Sequence, residues 1–352
     1  MSALVRGRLA PSPTGLLHLG NAWSFLWAWT AARAEKGRVA LRIEDIDPAR
    51  SRREWEEAAV LDLRWLGLDW DEGPVRQSER CDIYESACAR LRDAGRMYPC
   101  YCTRRELREL AGAPHGPARG IGNGIGDAGA AYPGTCRRLT PKERAAREAE
   151  GRRPAWRLAC PPPGPDGQEP GVIFKDMVAG PQCMTFARCG GDFALRRSDG
   201  VWAYQLAVAV DDMDMGVTQI VRGEDILYST PRQILLYELL SGMFNDRRPM
   251  TFAHLPLLHD EAGERLAKRH GSMGLAALRN AGVSAGAVTG FLAAKAGLAE
   301  KGELLSPPAL LDRVRRGGGV GVLWRALQDA GKRGPVRVLP EEMSALQHAK
   351  NG

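Results

Sequence analysis

Residues 8–21, with the sequence RLAPSPTGLLHLGN, give the strongest indication of the fold class. This stretch joins a strand predicted over residues 4–10 to an apolar helix predicted over residues 19–36, with Gly37 ending the helix. The two prolines and the glycine between them predict a turn. Residues 39–43 form the next apolar strand. This strand–helix–strand order is the opening unit of a parallel α/β domain.

The junction between strand and helix is a candidate phosphate site. Ligands of open α/β sheets bind at the carboxyl ends of the strands, and a helix N-terminus offers unpaired N–H groups to anions. Gly20 permits close approach of a nucleotide to the backbone, and His18 can donate to phosphate oxygens. Taken alone, His18–Asn21 is also compatible with an ordinary helix entry.

The bulk composition is that of a globular protein. The 352 residues include 44% hydrophobic and 26% charged residues, with no apolar run long enough for a membrane span. The N-terminus has no signal pattern, and we expect a cytoplasmic protein without membrane contact. Net charge is +7, and residues 261–352 hold 14 Lys and Arg against 8 Asp and Glu. That basic part is either a polyanion-binding face or a solvated surface.

The chain is predicted to contain four parts. Residues 1–98 are expected to form the first half of an α/β domain, and residues 99–180 an insertion rich in Cys, Pro and Gly. Strands from about 183 to 224 are expected to continue the first sheet, within a second half spanning 181–260. Residues 261–352 are predicted to be mainly helical, with a polar tail.

Five blocks, in order, resemble the glutamyl-tRNA synthetase family of class I aminoacyl-tRNA synthetases. They are residues 8–21, 41–47, 204–212, 221–225 and 265–269. The resemblance implies a Rossmann-like parallel sheet, a zinc-containing insertion and a C-terminal helical region that contacts the tRNA stem. It also implies ATP-dependent activation of L-glutamate, with Mg²⁺ bound mainly by the ATP phosphates.

The resemblance assigns roles at the nucleotide end of the site. His18–Asn21 occupy the place of the HIGH-type motif, so His18, Gly20 and Asn21 are expected to bind ATP. Residues 265–269, RLAKR, occupy the place of the KMSKS-type loop but depart from it at Arg265, Ala267 and Arg269. Lys268 remains and supplies the cation, so His18 and Lys268 are the predicted catalytic residues.

The resemblance also places a glutamate pocket. Its residues are Arg8, Leu9, Ala10, Pro11, Ser12, Glu44, Tyr204 and Arg222. The chemistry agrees, because arginines suit the carboxylates of glutamate and a carboxylate suits its ammonium group. The alternative is that Arg8 or Arg222 forms a structural salt bridge with Glu44. Nearby Asp211, Asp212 and Asp214 could suggest a metal site, but we interpret them as a turn between strands.

Cysteines in the insertion suggest zinc. Cys100, Cys102 and Cys136 with Tyr132 resemble the structural zinc site in the insertion of many relatives, and zinc takes four such ligands. A Cys-x-Cys pair alone would be weak, since buried free cysteines are common. His115 is an alternative fourth ligand.

The acceptor is predicted from chain length together with the divergent RLAKR loop. Members of the family continue into a large anticodon-binding region, whereas this chain ends about 90 residues after the loop, as in the branch that glutamylates queuosine in tRNA(Asp). We therefore expect a monomer acting on queuosine-bearing tRNA(Asp). The alternatives are a compact synthetase that charges a tRNA 3′ end, and a non-catalytic tRNA-binding paralogue.

Overall fold

The computed structural model describes residues 4–103, 105–107, 132–244, 249–266 and 274–349. Within these ranges the strands are β1 Arg6–Leu9, β2 Arg38–Ile43, β3 Glu72–Arg76, β4 Met97–Cys100, β5 Ala155–Leu158, β6 Gly171–Asp176, β7 Gly180–Thr185, β8 Phe193–Arg196, β9 Gln219–Gly223, β10 Thr251–Leu255, β11 Leu258–His259 and β12 Val336–Arg337.

Helices lie between and after these strands. They are α1 Leu19–Ala34, α2 Arg53–Trp65, α3 Cys81–Asp93, α4 Pro141–Ala149, α5 Tyr204–Asp214, α6 Thr230–Leu239, α7 Leu275–Asn280, α8 Ala285–Lys295, α9 Pro307–Arg316, α10 Val320–Lys332 and α11 Pro340–His348. Within the described part of the chain, no helix combines the length and apolar character needed to cross a membrane.

The opening unit is the predicted one. β1 and β2 pair in parallel, and α1 connects them. α1 ends at Ala34, two residues earlier than expected, and the chain turns back where the Gly37 amide donates to the Ala32 carbonyl at 2.8 Å. Trp23 and Trp27 of α1 are buried in the main core, because the helix is enclosed between the sheet and α9. That burial explains its apolar character on every side.

Parallel strands form the centre of the protein. β3 pairs with β2, and β10 pairs in parallel with both β9 and β6. β1 lies beside β9, where the Thr218 amide donates to the Arg6 carbonyl at 2.9 Å. The carboxyl ends of β1, β2 and β9 therefore meet on one side of the molecule, with Arg8, Glu44 and Arg222 close to those ends.

Two local expectations were wrong, the first of them in part. Of the strands between residues 183 and 196, β7 pairs with β6 at the edge of the sheet that contains β9 and β10, whereas β8 does not join that sheet and pairs with β5. β4, β5 and β8 form a separate antiparallel sheet. Asp211, Asp212 and Asp214 are not a turn between strands but belong to helix α5.

The C-terminal helices return to the α/β domain. β12 pairs in parallel with β11, and the Val338 amide donates to the His259 carbonyl at 2.8 Å. α9 and α10 pack against α1. The helical part and the α/β part thus share one hydrophobic core, which contains Trp27 as well as Leu310 and Leu323.

Candidate active site

A cavity of about 320 Å³ opens at the carboxyl ends of β1, β2 and β9. It brings together nearly all of the residues predicted from sequence: Arg8, Ala10, Pro11, Ser12, His18, Gly20, Asn21, Glu44, Tyr204 and Arg222. Leu9 is outside the cavity lining and fully buried in the core. Neighbouring residues of a strand face opposite sides, which explains why Arg8 and Leu9 separate.

His18 caps the N-terminus of α1. Its Nδ1 accepts from the Gly20 amide at 3.1 Å, and its own amide donates to Asn21 Oδ1 at 3.0 Å. Because Nδ1 is an acceptor, the neutral imidazole carries its proton on Nε2. The ring is therefore set to donate from Nε2, beside the positive end of the α1 dipole.

Gly20 lies directly beneath this ring. A Cβ at residue 20 would be 2.9 Å from His18 Cε1 and 3.0 Å from Nδ1, closer than real Cβ atoms approach. The backbone does not need a glycine for its torsion here, so the requirement is space. In the HLGN sequence, the His18 ring can therefore occupy this position only because residue 20 has no side chain.

We expect Gly20→Ala to lower the rate of glutamate-dependent ATP–pyrophosphate exchange by about 10²-fold, since it displaces one aligned donor. The melting temperature should change little, because the loss is one helix-cap hydrogen bond of about 1 kcal/mol. Gly321→Ala is the matched control, since its Cβ would meet only the Arg325 tip at 4.0 Å. Equal rates for wild type and Gly20→Ala would contradict this role of Gly20.

The opposite end of the cavity carries charge. Arg222 is buried, and no carboxylate in the described part of the chain pairs with it. Its partners are three neutral acceptors: His254 Nε2 at 2.9 Å, Gln233 Oε1 at 2.7 Å and Thr230 Oγ1 at 2.7 Å. A buried cation held by neutral groups attracts an anion, and this one faces the cavity.

Glu44 provides negative charge across the same cavity. Its Oε1 accepts from Arg42 Nη2 at 3.0 Å, and Ser12 Oγ is 3.4 Å from its Oε2. Glu44 is also fixed through its backbone, because its amide donates to the Pro11 carbonyl at 3.0 Å. Tyr204 lines the same cavity, and burial raises its pKa against the lowering effect of Arg222. The phenol is therefore neutral and can serve as a hydrogen-bond donor.

The salt bridge considered from sequence is not formed. Glu44 pairs with Arg42 and not with Arg8 or Arg222, and the carboxylate beside Arg8 is Asp212, 3.4 Å from Arg8 Nε. Asp212 Oδ1 also accepts from Arg42 Nη1 at 2.6 Å. Burial would raise the pKa of Asp212, but the Arg42 and Arg8 charges outweigh burial and lower it. Asp212 is thus an ionised counter-ion beneath the pocket floor.

Lys268, the predicted cation, lies outside the described residues, as do Ala267 and Arg269. The residues on both sides are positioned. Leu266 lines the cavity and its amide donates to the Leu258 carbonyl at 2.9 Å, while the Leu275 amide donates to the Leu17 carbonyl at 2.9 Å. Gly274 also forms a bridge with His18. The described residues on either side, Leu266 and Gly274, therefore lie at the nucleotide end of the cavity.

The cysteine cluster assembles as the sequence predicted. The sulfurs of Cys100, Cys102 and Cys136 lie within 4.8 Å of one another, and the Tyr132 hydroxyl is 3.3 Å from Cys100 Sγ and 3.5 Å from Cys102 Sγ. A tetrahedral zinc site needs sulfurs about 3.8 Å apart. Gly134, with φ of 71°, makes the turn that brings Tyr132 and Cys136 together. The donor set and its spacing therefore fit zinc.

The family model for the catalytic domain of class I tRNA synthetases (E and Q) matches residues 4–303. The chain therefore belongs to this family. Within it, the chain is 56% identical to the glutamyl-Q tRNA(Asp) synthetase of Nitratidesulfovibrio vulgaris, covering 84% of this chain and 87% of that one. A relative with the same name from Symbiobacterium thermophilum is 52% identical over 87% of this chain and 90% of its own length.

Ligases that act on glutamate and tRNA are also similar. The glutamate–tRNA ligase of Aquifex aeolicus is 41% identical over 82% of this chain, which spans 56% of that enzyme. Among solved structures, a glutamate tRNA ligase from Elizabethkingia meningosepticum in complex with its amino acid superimposes with a TM-score of 0.69 at 26% identity. That superposition covers 87% of this chain and 64% of the ligase.

Several residues that shape the site were missed from sequence. Arg42 lies inside a quoted block but had no role assigned, and Asp212 was interpreted as part of a turn. His254 contacts Arg222 directly, and Asp176 contacts His254 on its other side. Neither residue was assigned a role from sequence. The sequence feature that marks Asp176 is a polar residue at the end of strand β6. This feature is too common to identify a site on its own.

Proposed function

We propose that this protein activates L-glutamate with ATP to form glutamyl-adenylate, and transfers the glutamyl group to queuosine at the wobble position of tRNA(Asp). The observation that carries the first half is Arg222, a buried cation with neutral partners in the same cavity as Glu44. The second half is supported by relatives of matching length that are named glutamyl-Q tRNA(Asp) synthetase. We further propose that it acts as a monomer in the cytoplasm.

In the first step, the glutamate α-carboxylate attacks the α-phosphorus of ATP and pyrophosphate leaves. Arg8 and Arg222 bind the carboxylates and Glu44 binds the ammonium group, which leaves the nucleophilic oxygen directed to the phosphate end. His18 Nε2–H donates to the phosphate oxygens as charge develops, and Lys268 neutralises the leaving group. Mg²⁺ enters with ATP and is bound by its phosphates. Positioning and charge stabilisation suffice for this step.

In the second step, a hydroxyl of the cyclopentenediol ring of queuosine attacks the carbonyl carbon of glutamyl-adenylate. An ester forms, AMP leaves, and the hydroxyl proton is transferred to the departing phosphate or to water. No side-chain nucleophile is needed. The basic C-terminal helices are proposed to contact the RNA stem, since cationic surfaces bind phosphates.

Acceptor mapping tests this proposal. Labelled glutamate and ATP are supplied with queuosine-bearing tRNA(Asp), queuosine-free tRNA(Asp) and tRNA(Glu), and the RNA is then cleaved to locate the label. We expect label in the anticodon fragment of queuosine-bearing tRNA(Asp) alone. Label at the 3′ end of tRNA(Glu) would identify a compact synthetase instead. No label and no pyrophosphate exchange would support the non-catalytic alternative.

We also propose that Cys100, Cys102, Tyr132 and Cys136 bind one structural zinc ion, which stabilises the insertion. The guanidinium of Arg157 lies 4.1 Å from the centroid of the Tyr132 ring, a cation–π contact that helps to hold the phenol beside the three sulfurs. His115, the alternative fourth ligand, lies outside the described residues.

Metal analysis of the purified protein should give about one zinc per chain, falling well below that in Cys136→Ser because three donors hold zinc more weakly than four. Cys183→Ser is the matched control, since Cys183 is exposed and outside the cluster. Tyr132→Phe is expected to weaken zinc retention against a chelator, whereas His115→Ala is not. The reverse order would make His115 the ligand.

A further inference from the structure

A buried pair lies behind the glutamate pocket and does not line it. His254 is the residue before the last one of β10, and Asp176 is the last residue of β6. Each is 1% exposed. His254 Nδ1 is 2.6 Å from Asp176 Oδ2, and His254 Nε2 is 2.9 Å from Arg222 Nε. The three side chains form one continuous row that ends at the cavity.

The geometry fixes the protonation of the imidazole. A guanidinium can only donate, so His254 Nε2 must offer its lone pair to Arg222. The ring proton is then on Nδ1 and is donated to Asp176. His254 is therefore neutral: its burial and the nearby Arg222 charge lower its pKa to about 4 and outweigh the Asp176 hydrogen bond, which acts in the opposite direction.

Asp176 is fixed independently of the histidine. Its Oδ1 accepts three backbone amides: Val178 at 2.9 Å, Ala179 at 2.8 Å and His254 at 3.0 Å. Since Oδ1 is fully engaged, Oδ2 is the oxygen that faces His254 Nδ1. The carboxylate thus selects one imidazole tautomer, in the way that outer partners orient metal-binding histidines.

The hydrogen bonds around Arg222 also determine how many of its N–H groups, and how much of its positive charge, remain for a ligand in the pocket. Arg222 uses three of its five N–H groups on His254, Gln233 and Thr230, which leaves one on each Nη nitrogen. Gln233 is oriented to accept because its own amide donates to Gln205 Oε1 at 3.1 Å. All three acceptors are neutral, so the positive charge of Arg222 is not compensated by its supports.

We propose that Asp176 and His254 are positioning residues that determine the preference for glutamate over glutamine, by holding Arg222 through a neutral acceptor so that its charge is available to the substrate. The inference rests on the proposed activation of glutamate. Glutamate places a carboxylate against Arg222, whereas glutamine leaves the buried charge unpaired. A carboxylate in direct contact with Arg222 would neutralise its charge and remove the difference in affinity between glutamate and glutamine. The Asp176 carboxylate does not contact Arg222, because His254 lies between them.

Asp176→Asn tests the tautomer with a change of one atom. The asparagine oxygen is retained by the three backbone amides, so its NH₂ group faces His254 Nδ1. The imidazole proton must then move to Nε2, where it opposes the Arg222 Nε–H. We expect the Kd of L-glutamate, measured by titration calorimetry, to rise about 10- to 100-fold. The Kd of a non-hydrolysable ATP analogue should not change. Asp166→Asn is the matched control, since Asp166 is exposed and accepts from Gln168 within a turn.

Two substitutions of His254 give a second, independent comparison. His254→Gln preserves an acceptor for Arg222 and should bind glutamate within a few-fold of wild type. His254→Glu places a carboxylate on Arg222 and should lose most of the preference for glutamate over glutamine. The comparison stands even if Asp176→Asn does not fold.

The outcomes separate the two hypotheses. If the wild-type protein binds no glutamate, the proposed function fails and this inference fails with it. If wild type binds glutamate but Asp176→Asn binds it equally well and His254→Glu keeps the full preference for glutamate over glutamine, the inference alone is overturned. A rise in the Kd of both glutamate and the ATP analogue by the same factor would also overturn it, because a general structural defect would explain that result.

Discussion

Replacing Arg222 with glutamine is expected to raise the KM for glutamate in ATP–pyrophosphate exchange by about 10²- to 10³-fold, because one partner of a buried charge pair is removed. The KM for ATP should change little, since Arg222 lies at the amino-acid end of the cavity. The ratio of kcat/KM for glutamate to that for glutamine should fall, because the neutral variant no longer leaves an unpaired charge with glutamine.

Arg90→Gln is the matched control for this measurement. Arg90 is on α3, away from the cavity, and donates to the Ser241 carbonyl at 2.8 Å. Its kinetics should equal those of wild type. An Arg222→Gln enzyme with unchanged KM for glutamate would show that another residue recognises the substrate side chain, and the proposed pocket would then be wrong.

Replacing Asp212 with asparagine is expected to destabilise the protein by about 3–5 kcal/mol. The carboxylate is fully buried, and its removal would leave Arg8 and Arg42 without this counter-ion. Equilibrium unfolding in denaturant measures the loss. Asp214→Asn on the same helix is the control, since that carboxylate is 37% exposed and pairs with Arg80 at 2.6 Å. It should cost less than about 1 kcal/mol.

The pH dependence of this effect has a definite sign. Because the folded protein lowers the pKa of Asp212 below its ordinary value of 3.8, the stabilisation is complete above that value and is lost as pH falls through the folded pKa. The difference between wild type and Asp212→Asn should therefore be constant from pH 5 to 8 and shrink only in acid. A difference that grows as pH falls below 4 would contradict an ionised Asp212.

The parts of the site that were predicted are encoded within short stretches. The turn before α1 depends on Pro11, Pro13 and Gly15, and the spacing of His18 and Gly20 places both at one helix N-terminus. The cysteine cluster was found in the same way, because Cys100 and Cys102 are two residues apart and Tyr132 and Cys136 are four apart. Such patterns can be interpreted from a few neighbouring residues, without knowledge of contacts to distant parts of the chain.

The parts that were missed depend on contacts between distant segments. Asp212 was assigned, together with Asp211 and Asp214, to a turn between strands, because aspartates are common in turns. In the structure α5 is buried along most of its length, so it lacks the polar periodicity by which an amphipathic helix is recognised. Its counter-ion Arg42 is 170 residues earlier in the chain. His254 and Asp176 are 78 residues apart and meet because β10 and β6 pair.

The backbone contacts of the described residues on either side of 267–273 limit which substitutions they tolerate. The amides of Leu266 and Leu275 donate to the carbonyls of Leu258 and Leu17, and Gly274 forms a bridge with His18. Every residue except proline supplies such an amide, so these hydrogen bonds do not depend on the chemistry of the side chain at 266 or 275. Proline is the one residue type that would remove the donor at either position.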